Sequence, residues 1–147
     1  MTTPTVSLHF TVQQGATFRQ RFQRFQVPAD VVLRNGALLY KASGKPVPSA
    51  DRVPVDYTGC TAVLQLRSGE SELAVTFSTS PEAGQGSITL DDRGQCELLL
   101  TAQQTAGLNF SQCGDLVGPL DVTFSNGDVE RQFLVHLSLE PVAGCHG

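Results

Sequence analysis

The side chains able to perform acid–base or metal chemistry are few and far apart in this chain of 147 residues. His9 and His136 fall at the polar positions of alternating segments, where a histidine usually faces solvent. Cys145 and His146 lie near the end of the chain, and a pair of ligands is fewer than a structural zinc site uses. The chain also lacks the GxSxG, HExxH and phosphate-binding glycine motifs. We therefore expect no enzymatic activity, no cofactor and no metal site.

The cysteines are spaced too widely for a metal or redox motif. None of Cys60, Cys96, Cys113 and Cys145 forms a CxxC pair, and the first two alternate with apolar residues, as small hydrophobic side chains do. The first ten residues, MTTPTVSLHF, have neither the basic stretch nor the apolar stretch of a secretory signal. We therefore expect synthesis in a reducing cytosol and free thiols, with disulfide pairing as the alternative.

Acidic residues beside glycines suggest calcium as a second metal hypothesis. Asp91-Asp92, together with Asp128 or Glu130, would supply carboxylate ligands. No DxDxDG spacing occurs, and aspartates next to glycine commonly cap their own turns. We therefore interpret these residues as turn formers.

Basic residues provide the most suggestive cluster for binding. Three arginines lie within residues 19–24, and guanidinium groups pair well with carboxylates of a neighbouring protein. The alternative is an edge strand that charge keeps soluble. Further cations lie in the loop that follows. The predicted partner-binding residues are Arg19, Arg21, Arg24, Lys41, Lys45 and Arg52.

Overall composition narrows the class of partner. The net charge is −4, and the signs are interspersed along the chain, which argues against a nucleic-acid partner. No apolar run approaches the length of about 20 residues that spans a bilayer, so we expect no membrane partner. The length suits one domain over residues 1–147.

The segment Leu120 to Pro141 has the clearest structural pattern. Its two arms alternate apolar and polar residues, which only a strand does at a period of two. Asn126-Gly127 between them predicts a type I′ hairpin turn. The residues predicted to share the core face of the second arm are Val129, Arg131, Phe133, Val135, Leu137 and Leu139.

Shorter alternating segments fill the rest of the chain. A capping box, Thr101 with Gln104, predicts one short helical turn over residues 101–106. Gly118-Pro119 is predicted to interrupt its strand as a bulge or an edge. Further strands are predicted at residues 5–13, 16–25, 60–67, 72–78, 87–90 and 95–100. This spacing predicts an all-β fold, an antiparallel β-sandwich of the immunoglobulin-like or jelly-roll-like kind, with a barrel as the alternative.

Residues 26–55 are the least regular part of the chain. Asn35-Gly36 predicts a second tight hairpin, and a stretch rich in Pro, Gly and Ser follows from Lys41 to Pro54. Loops of this length are usually functional or disordered. We expect this region to be an irregular contact loop that becomes ordered against a partner.

Several segments, taken in order, resemble a family of small structural proteins from tailed bacteriophages and prophages, which form tails, baseplates or other virion parts. The resemblance covers about two-thirds of the chain and departs from the pattern in residues 27–53 and at Gly114-Asp115. The matching segments are residues 14–19, 54–62, 66–67, 86–90, 100–106, 115–116, 126–131 and 139–141.

The resemblance implies a non-enzymatic virion component, made in the host bacterial cytoplasm, whose partners are other virion proteins and copies of itself. It supplies no catalytic residues. The alternative is a β-sandwich module of a phage appendage that binds a carbohydrate or another ligand. Exposed aromatic residues would favour that alternative, but most phenylalanines fall at core positions and tryptophan is absent.

Overall fold

A computed structural model describes residues 5–27, 30–68, 72–108 and 115–141. It contains strands, one 3-10 turn at Ser49–Asp51 and one short helix, α1, at Ala102–Ala106. None of the helical segments in these ranges is long and apolar enough to cross a membrane. The strands are β1 (Val6–Gln13), β2 (Phe18–Gln23), β3 (Val31–Arg34), β4 (Ala37–Tyr40), β5 (Thr61–Ser68), β6 (Glu72–Ser78), β7 (Gly86–Leu90), β8 (Gln95–Leu100), β9 (Asp115–Thr123) and β10 (Val129–Glu140).

Eight of the strands form one sheet in the order β1-β10-β9-β5-β6-β7-β8-β2, and β3 pairs with β4 separately. The prediction of an all-β fold is confirmed. The pairing is mixed rather than wholly antiparallel, because β1 runs parallel to β10 and β6 runs parallel to β7. The sheet curls until its two edge strands approach each other, and the Phe10 ring of β1 lies 6.0 Å from the Phe22 ring of β2. The result is nearly a barrel.

The core lies inside this curled sheet. Each strand places every second side chain inward, as the alternating sequence predicts. In β5, Ala62, Leu64 and Leu66 are buried while the residues between them are exposed. In β8, Cys96, Leu98 and Leu100 are buried in the same way. Alternation therefore located these strands correctly.

The helix forms as predicted because its cap is complete. The Thr101 hydroxyl accepts a hydrogen bond from the Gln104 backbone N–H at 3.1 Å, and the Gln104 side chain accepts one from the Thr101 N–H at 2.8 Å. This reciprocal pair satisfies two backbone donors that a helix start would otherwise leave unpaired. Gly107 ends the helix.

The last hairpin forms, but the prediction of a type I′ turn is wrong. In such a turn both Asn126 and Gly127 would have positive φ, and only Gly127 does, at 93°. The Gly127 N–H instead bonds the Phe124 carbonyl at 2.9 Å, and the Phe124 N–H bonds the Asp128 carbonyl at 2.8 Å. The connection is a longer turn with glycine at its left-handed position.

Replacing Gly127 with valine should destabilise the protein by about 1 kcal/mol or more, because a β-branched residue resists positive φ. Urea denaturation measures the difference. Replacing the neighbouring Asn126 with serine is the matched control, since Asn126 has an ordinary φ, and it should cost less. A Gly127→Val variant as stable as the wild type would contradict the turn geometry.

A β-bulge shifts the phase of β10. Its pairing with β9 changes register between Arg131 and Phe133, so Gln132 has no opposite residue. Before the bulge, Val129 and Arg131 therefore face outward, and Val129 is 62% exposed. The prediction that these two share the core face is wrong. Phe133 and the alternate residues after it do face the core.

The prediction that Gly118-Pro119 interrupts a strand is also wrong. β9 continues through both residues and lies between β10 and β5, not at an edge. The ladder between β5 and β9 is paired at Leu120 and again at Val117 but not between them. Proline is tolerated in the sheet here because its missing N–H falls where no ladder pairing is made.

Strands β3 and β4 form the second predicted hairpin. Asn35 has φ 50° and Gly36 has φ 80°, the two positive angles that a type I′ turn needs. The loop after it packs on this hairpin: Val47 is 4% exposed and forms a small core with Val31 and Leu38. Val47 therefore gives the loop an apolar anchor of its own. That the region contacts a partner and becomes ordered against it stays a prediction.

Candidate docking site

The structure divides the predicted arginine cluster between two faces of β2. Arg19 and Arg21 project outward, with 55% and 69% of their side chains exposed, and both pair with Glu97 of β8. Exposed pairs of this kind contribute little to stability, so the two guanidinium groups can bind other carboxylates at small cost. Of the three predicted arginines, these two fit the prediction of an exposed cationic face.

Arg24 does not belong to that face, so the prediction that the three arginines share one cationic face is wrong for Arg24. It follows β2 on the inner phase and is 4% exposed. Its Nη1 donates to the Gln132 carbonyl oxygen at 3.0 Å, and its guanidinium lies 5.3 Å from the centre of the Phe133 ring. Burial lowers the pKa of Arg24, while the fields of Tyr57 and Glu130 oppose that change.

A polar network surrounds Arg24 on the inner side of the curled sheet. The Tyr57 hydroxyl donates to Gln132 Oε1 at 2.5 Å, and Gln132 Nε2 donates to the Glu130 carboxylate at 3.1 Å. The bulge in β10 makes this network possible, because it turns both Gln132 and Phe133 inward. Burial raises the pKa of Tyr57, so the phenol stays protonated as a donor at neutral pH.

An open cavity of about 180 Å³, which we call the seam pocket, lies where β1 and β2 diverge. The side chains of Val6 and Leu8 line it from β1, and Phe22 lines it from β2. Arg24 and Phe133, both buried, also line it. On the far side it is lined by residues of the β3–β4 hairpin region, namely Phe25, Val27, Leu33, Gly36, Leu38 and Arg52.

The cations of the 26–55 region lie in two different settings. Lys41 and Lys45 are exposed at the end of the β3–β4 hairpin. Arg52 is partly buried: its Nε donates to the Val47 carbonyl at 2.9 Å and its guanidinium lies 5.7 Å from the centre of the Phe25 ring. Only Arg52 of these three lines the seam pocket.

His9 and His136 lie far apart in sequence but are direct neighbours in the β1–β10 pair. Their rings stack with centroids 4.3 Å apart and planes 12° from parallel, on the outer face of the sheet. Within the described ranges, no group of three or more His, Cys, Asp or Glu side chains is arranged to hold a metal ion.

Asp91, one of the carboxylates considered for calcium, is a turn former, as the sequence indicates. Its Oδ1 accepts hydrogen bonds from the backbone N–H groups of Arg93 and Gln95, both at 2.9 Å. In the last hairpin, Asp128 Oδ2 accepts a hydrogen bond from Asn126 Nδ2 at 3.1 Å, and the Asp128 backbone N–H donates to Asn126 Oδ1 at 2.9 Å. These contacts occupy the carboxylates with local backbone and side-chain donors.

Cys60 and Cys96 are free thiols, whereas Cys113 and Cys145 lie outside the described residues. Cys60 is partly buried against the core, and Cys96 is almost fully enclosed. Burial raises the pKa of the Cys96 thiol to about 12 from an ordinary value of 9.0. Both cysteines therefore act as apolar core residues at neutral pH.

The raised pKa of Cys96 predicts a loss of stability in alkali. Well below pH 9.0 the thiol is neutral in both the folded and the unfolded chain; between pH 9.0 and about 12 it is ionised mainly in the unfolded chain. This group alone should then lower the free energy of unfolding by up to about 1.4 kcal/mol per pH unit. Urea denaturation at pH 8 to 11, compared between wild type and Cys96→Ala, measures the slope. The variant should show a shallower decline, and an unchanged slope would contradict the assignment.

Sequence reasoning missed the apolar lining of the seam pocket. Leu8, Phe22 and Phe133 obey the same alternation as core residues, so nothing in their spacing marks them as lining an opening. The sequence analysis also missed that Gln132 is buried. Alternation with Phe133 predicts that Gln132 faces outward, and only the bulge turns both side chains inward.

The chain matches no protein-family model, and none of the curated proteins matches it.

Proposed function

We propose that this protein is a non-enzymatic structural component of a tailed-phage particle that works by docking against other virion proteins and copies of itself. The support from sequence is the resemblance to small phage structural proteins, which covers about two-thirds of the chain with the matching segments in the same order. The structural observation that carries the proposal is the seam pocket, an apolar opening next to β2, the edge strand that also presents the exposed Arg19 and Arg21. Exposed sheet edges are a recurring site of protein binding.

The size of the seam pocket favours a protein partner over a small ligand. Pockets for drug-sized ligands measure roughly 300–1,000 Å³. The seam pocket, at about 180 Å³, is smaller, and is closer to the ~150 Å³ cavity that encloses a single benzene ring. Such a space suits one large side chain of a docking protein.

The predicted sandwich architecture is part of this proposal. We infer that β1, β10, β9 and β5 act as one layer and that β6, β7, β8 and β2 act as the other. The contact between the rings of Phe18 in β2 and Phe77 in β6, 6.3 Å apart, supports a tightly filled interior. A rigid interior of this kind presents the edge strands in a fixed geometry.

A ligand-binding module of a phage appendage is the second candidate. The observation in its favour is that Arg24 and Arg52 both line the seam pocket, so a small organic anion would find two cationic groups there. Thermal unfolding in the presence of simple carboxylates and saccharides separates the candidates. An increase in Tm that Arg52→Gln abolishes would favour the module.

Mass spectrometry of purified particles tests the first proposal. Particles from the strain that encodes the chain should contain it at a fixed copy number, consistent with the symmetry of a tail, neck or capsid. Lysate proteins of similar abundance are the control for carry-over. A chain that is expressed during particle production but removed with soluble protein during purification would contradict a structural role.

A further inference from the structure

We propose that the seam, the gap between β1 and β2, receives an extended segment of a neighbouring protein as an additional strand. The segment would place one large apolar side chain in the seam pocket and acidic side chains toward Arg19 and Arg21. This inference rests on the proposed function, because it specifies how the docking occurs. It assigns a partner chemistry: a strand in which apolar and acidic residues alternate.

The backbone of both edge strands is available on the seam side. In the described sheet, β1 pairs only with β10 and β2 pairs only with β8. The Arg24 N–H bonds the Gly94 carbonyl on the β8 side, and the Gln14 N–H bonds the Glu140 carbonyl on the β10 side. Because backbone groups alternate in direction along a strand, the odd-numbered residues of β1 and β2 direct theirs into the seam.

The seam is closed at one end and open at the other. Near the β1–β2 turn, Val12 and Phe18 are buried, with 0% and 3% exposure. Toward the opposite end, inward side chains of the same strands are only partly buried, although they have the same apolar character. These side chains are Val6, Leu8, Phe10 and Phe22. They are the side chains that an added strand would cover.

Each end of the seam carries a depression of different character. The seam pocket, at the open end, is lined mainly by aliphatic and aromatic side chains. A second cavity of about 220 Å³ lies at the turn end and is lined by polar residues such as Thr11, Gln13 and Gln20. A strand lying along the seam would therefore place its large apolar residue at the open end and polar residues at the turn end.

The charges of Arg19 and Arg21 favour acidic residues on the outward face of the added strand. Residues of a strand alternate between two faces, so a segment with apolar residues inward places the intervening residues beside Arg19 and Arg21. Glu97 is the only carboxylate paired with these two arginines among the described contacts. The outward residues of β1, including Ser7, His9 and Thr11, carry no acidic group that would repel the segment. Acidic residues at these positions would form charge-assisted hydrogen bonds.

Main-chain pairing with pockets for alternate side chains is an established way for a sheet edge to bind a peptide. In that mode the backbone supplies affinity and the side-chain pockets supply specificity. The seam offers both, because β1 and β2 each have one edge without a paired strand in the described sheet and an apolar pocket lies at the open end.

Peptide selection against the folded full chain tests this inference. A display library of random 12-residue peptides should enrich sequences in which acidic residues alternate with apolar ones and that include one aromatic or leucine residue. The enriched peptide is then synthesised and titrated by calorimetry. Amide hydrogen exchange should show the backbone N–H groups of Arg19 and Arg21 at least about tenfold more protected with peptide bound.

Matched variants locate the binding. The double change Arg19→Gln/Arg21→Gln should weaken the peptide about tenfold, because it removes two rim charges, while leaving the Tm close to that of the wild type. Arg67→Gln, an exposed arginine of β5 outside the seam, should change affinity less than about twofold. Leu8→Ala, which enlarges the seam pocket, should weaken the peptide without altering its charge preference.

Several results would overturn the inference. They are the absence of any enriched sequence, equal affinity for the double variant and the wild type, and protection of Arg19 and Arg21 by self-association without peptide. The last result would assign the seam to a second copy of this chain. If particles contain the protein but no peptide binds the seam, this inference fails while the proposed function stands.

Discussion

Replacing Gly118 with alanine is expected to prevent the protein from folding or to lower the free energy of unfolding by at least about 3 kcal/mol. A Cβ atom at this position would lie 1.9 Å from the Gln65 carbonyl oxygen and 2.8 Å from its carbonyl carbon. Both are backbone atoms of β5, so no side-chain rotation relieves the clash. Accommodation requires β5 and β9 to separate at the centre of the sheet.

Gly107→Ala is the matched control for this experiment. A Cβ there would meet its nearest atoms at 3.6 and 3.7 Å, an ordinary contact distance, and Gly107 has a helical φ of −84°. Alanine should therefore be neutral or slightly stabilising at this site. Circular dichroism and urea denaturation measure both variants. A Gly118→Ala variant with wild-type stability would contradict the close approach of β5 and β9.

The second large effect is expected from separating Tyr57 and Gln132. Tyr57→Phe leaves Gln132 Oε1 buried without its 2.5 Å hydrogen bond, and Gln132→Leu leaves the Tyr57 hydroxyl buried in the same way. Each change should cost about 2 kcal/mol, because an unsatisfied buried polar group retains its full desolvation penalty. The double variant removes both polar atoms and should cost less than the sum by about 1 kcal/mol or more.

A pair of distant substitutions is the control for this comparison of single and double variants. Tyr57→Phe combined with Arg67→Gln, an exposed change near the far end of β5, should be additive within about 0.5 kcal/mol. Strict additivity of Tyr57→Phe with Gln132→Leu would show that the two side chains do not depend on each other. That result would contradict the buried network around Arg24.

Local patterns in the sequence predicted the strands, the capped helix and one of the two hairpin turns. Alternation at Ala62, Leu64 and Leu66 requires only that each strand has an inner face. The capping box needs only Thr101 and Gln104, which are neighbours along the chain. At Asn35-Gly36 the two residues themselves adopt the positive φ angles that define the turn.

Features that depend on distant partners were beyond local reasoning. The parallel pairing of β1 with β10 joins residues more than a hundred positions apart, such as His9 and His136, and no local pattern specifies it. The bulge at Gln132 changes which residues face inward without changing the sequence alternation that precedes it. Arg24 was assigned to the outer face because it is charged. Its position in the alternation, two residues after Phe22, indicated burial instead.

The same limit applies to the candidate site. The exposure of Arg19 and Arg21 follows from their phase in β2, so the sequence predicted them. The seam pocket depends on how far β1 and β2 diverge and on where the β3–β4 hairpin packs. Neither property is encoded by the spacing of apolar residues.

Incorporation into particles tests directly whether the protein docks into a virion through its seam edge. Wild type and the Arg19→Gln/Arg21→Gln variant, each carrying a distinct peptide tag, are produced together during particle assembly, and their ratio in purified particles is measured by mass spectrometry. Point changes on β2 are preferable to deleting the 41–54 loop, which would remove the buried Val47. The variant should be depleted severalfold in particles relative to the lysate, while Arg67→Gln enters at parity. Equal incorporation of the seam variant, or absence of the wild type from particles, would contradict docking through the seam edge.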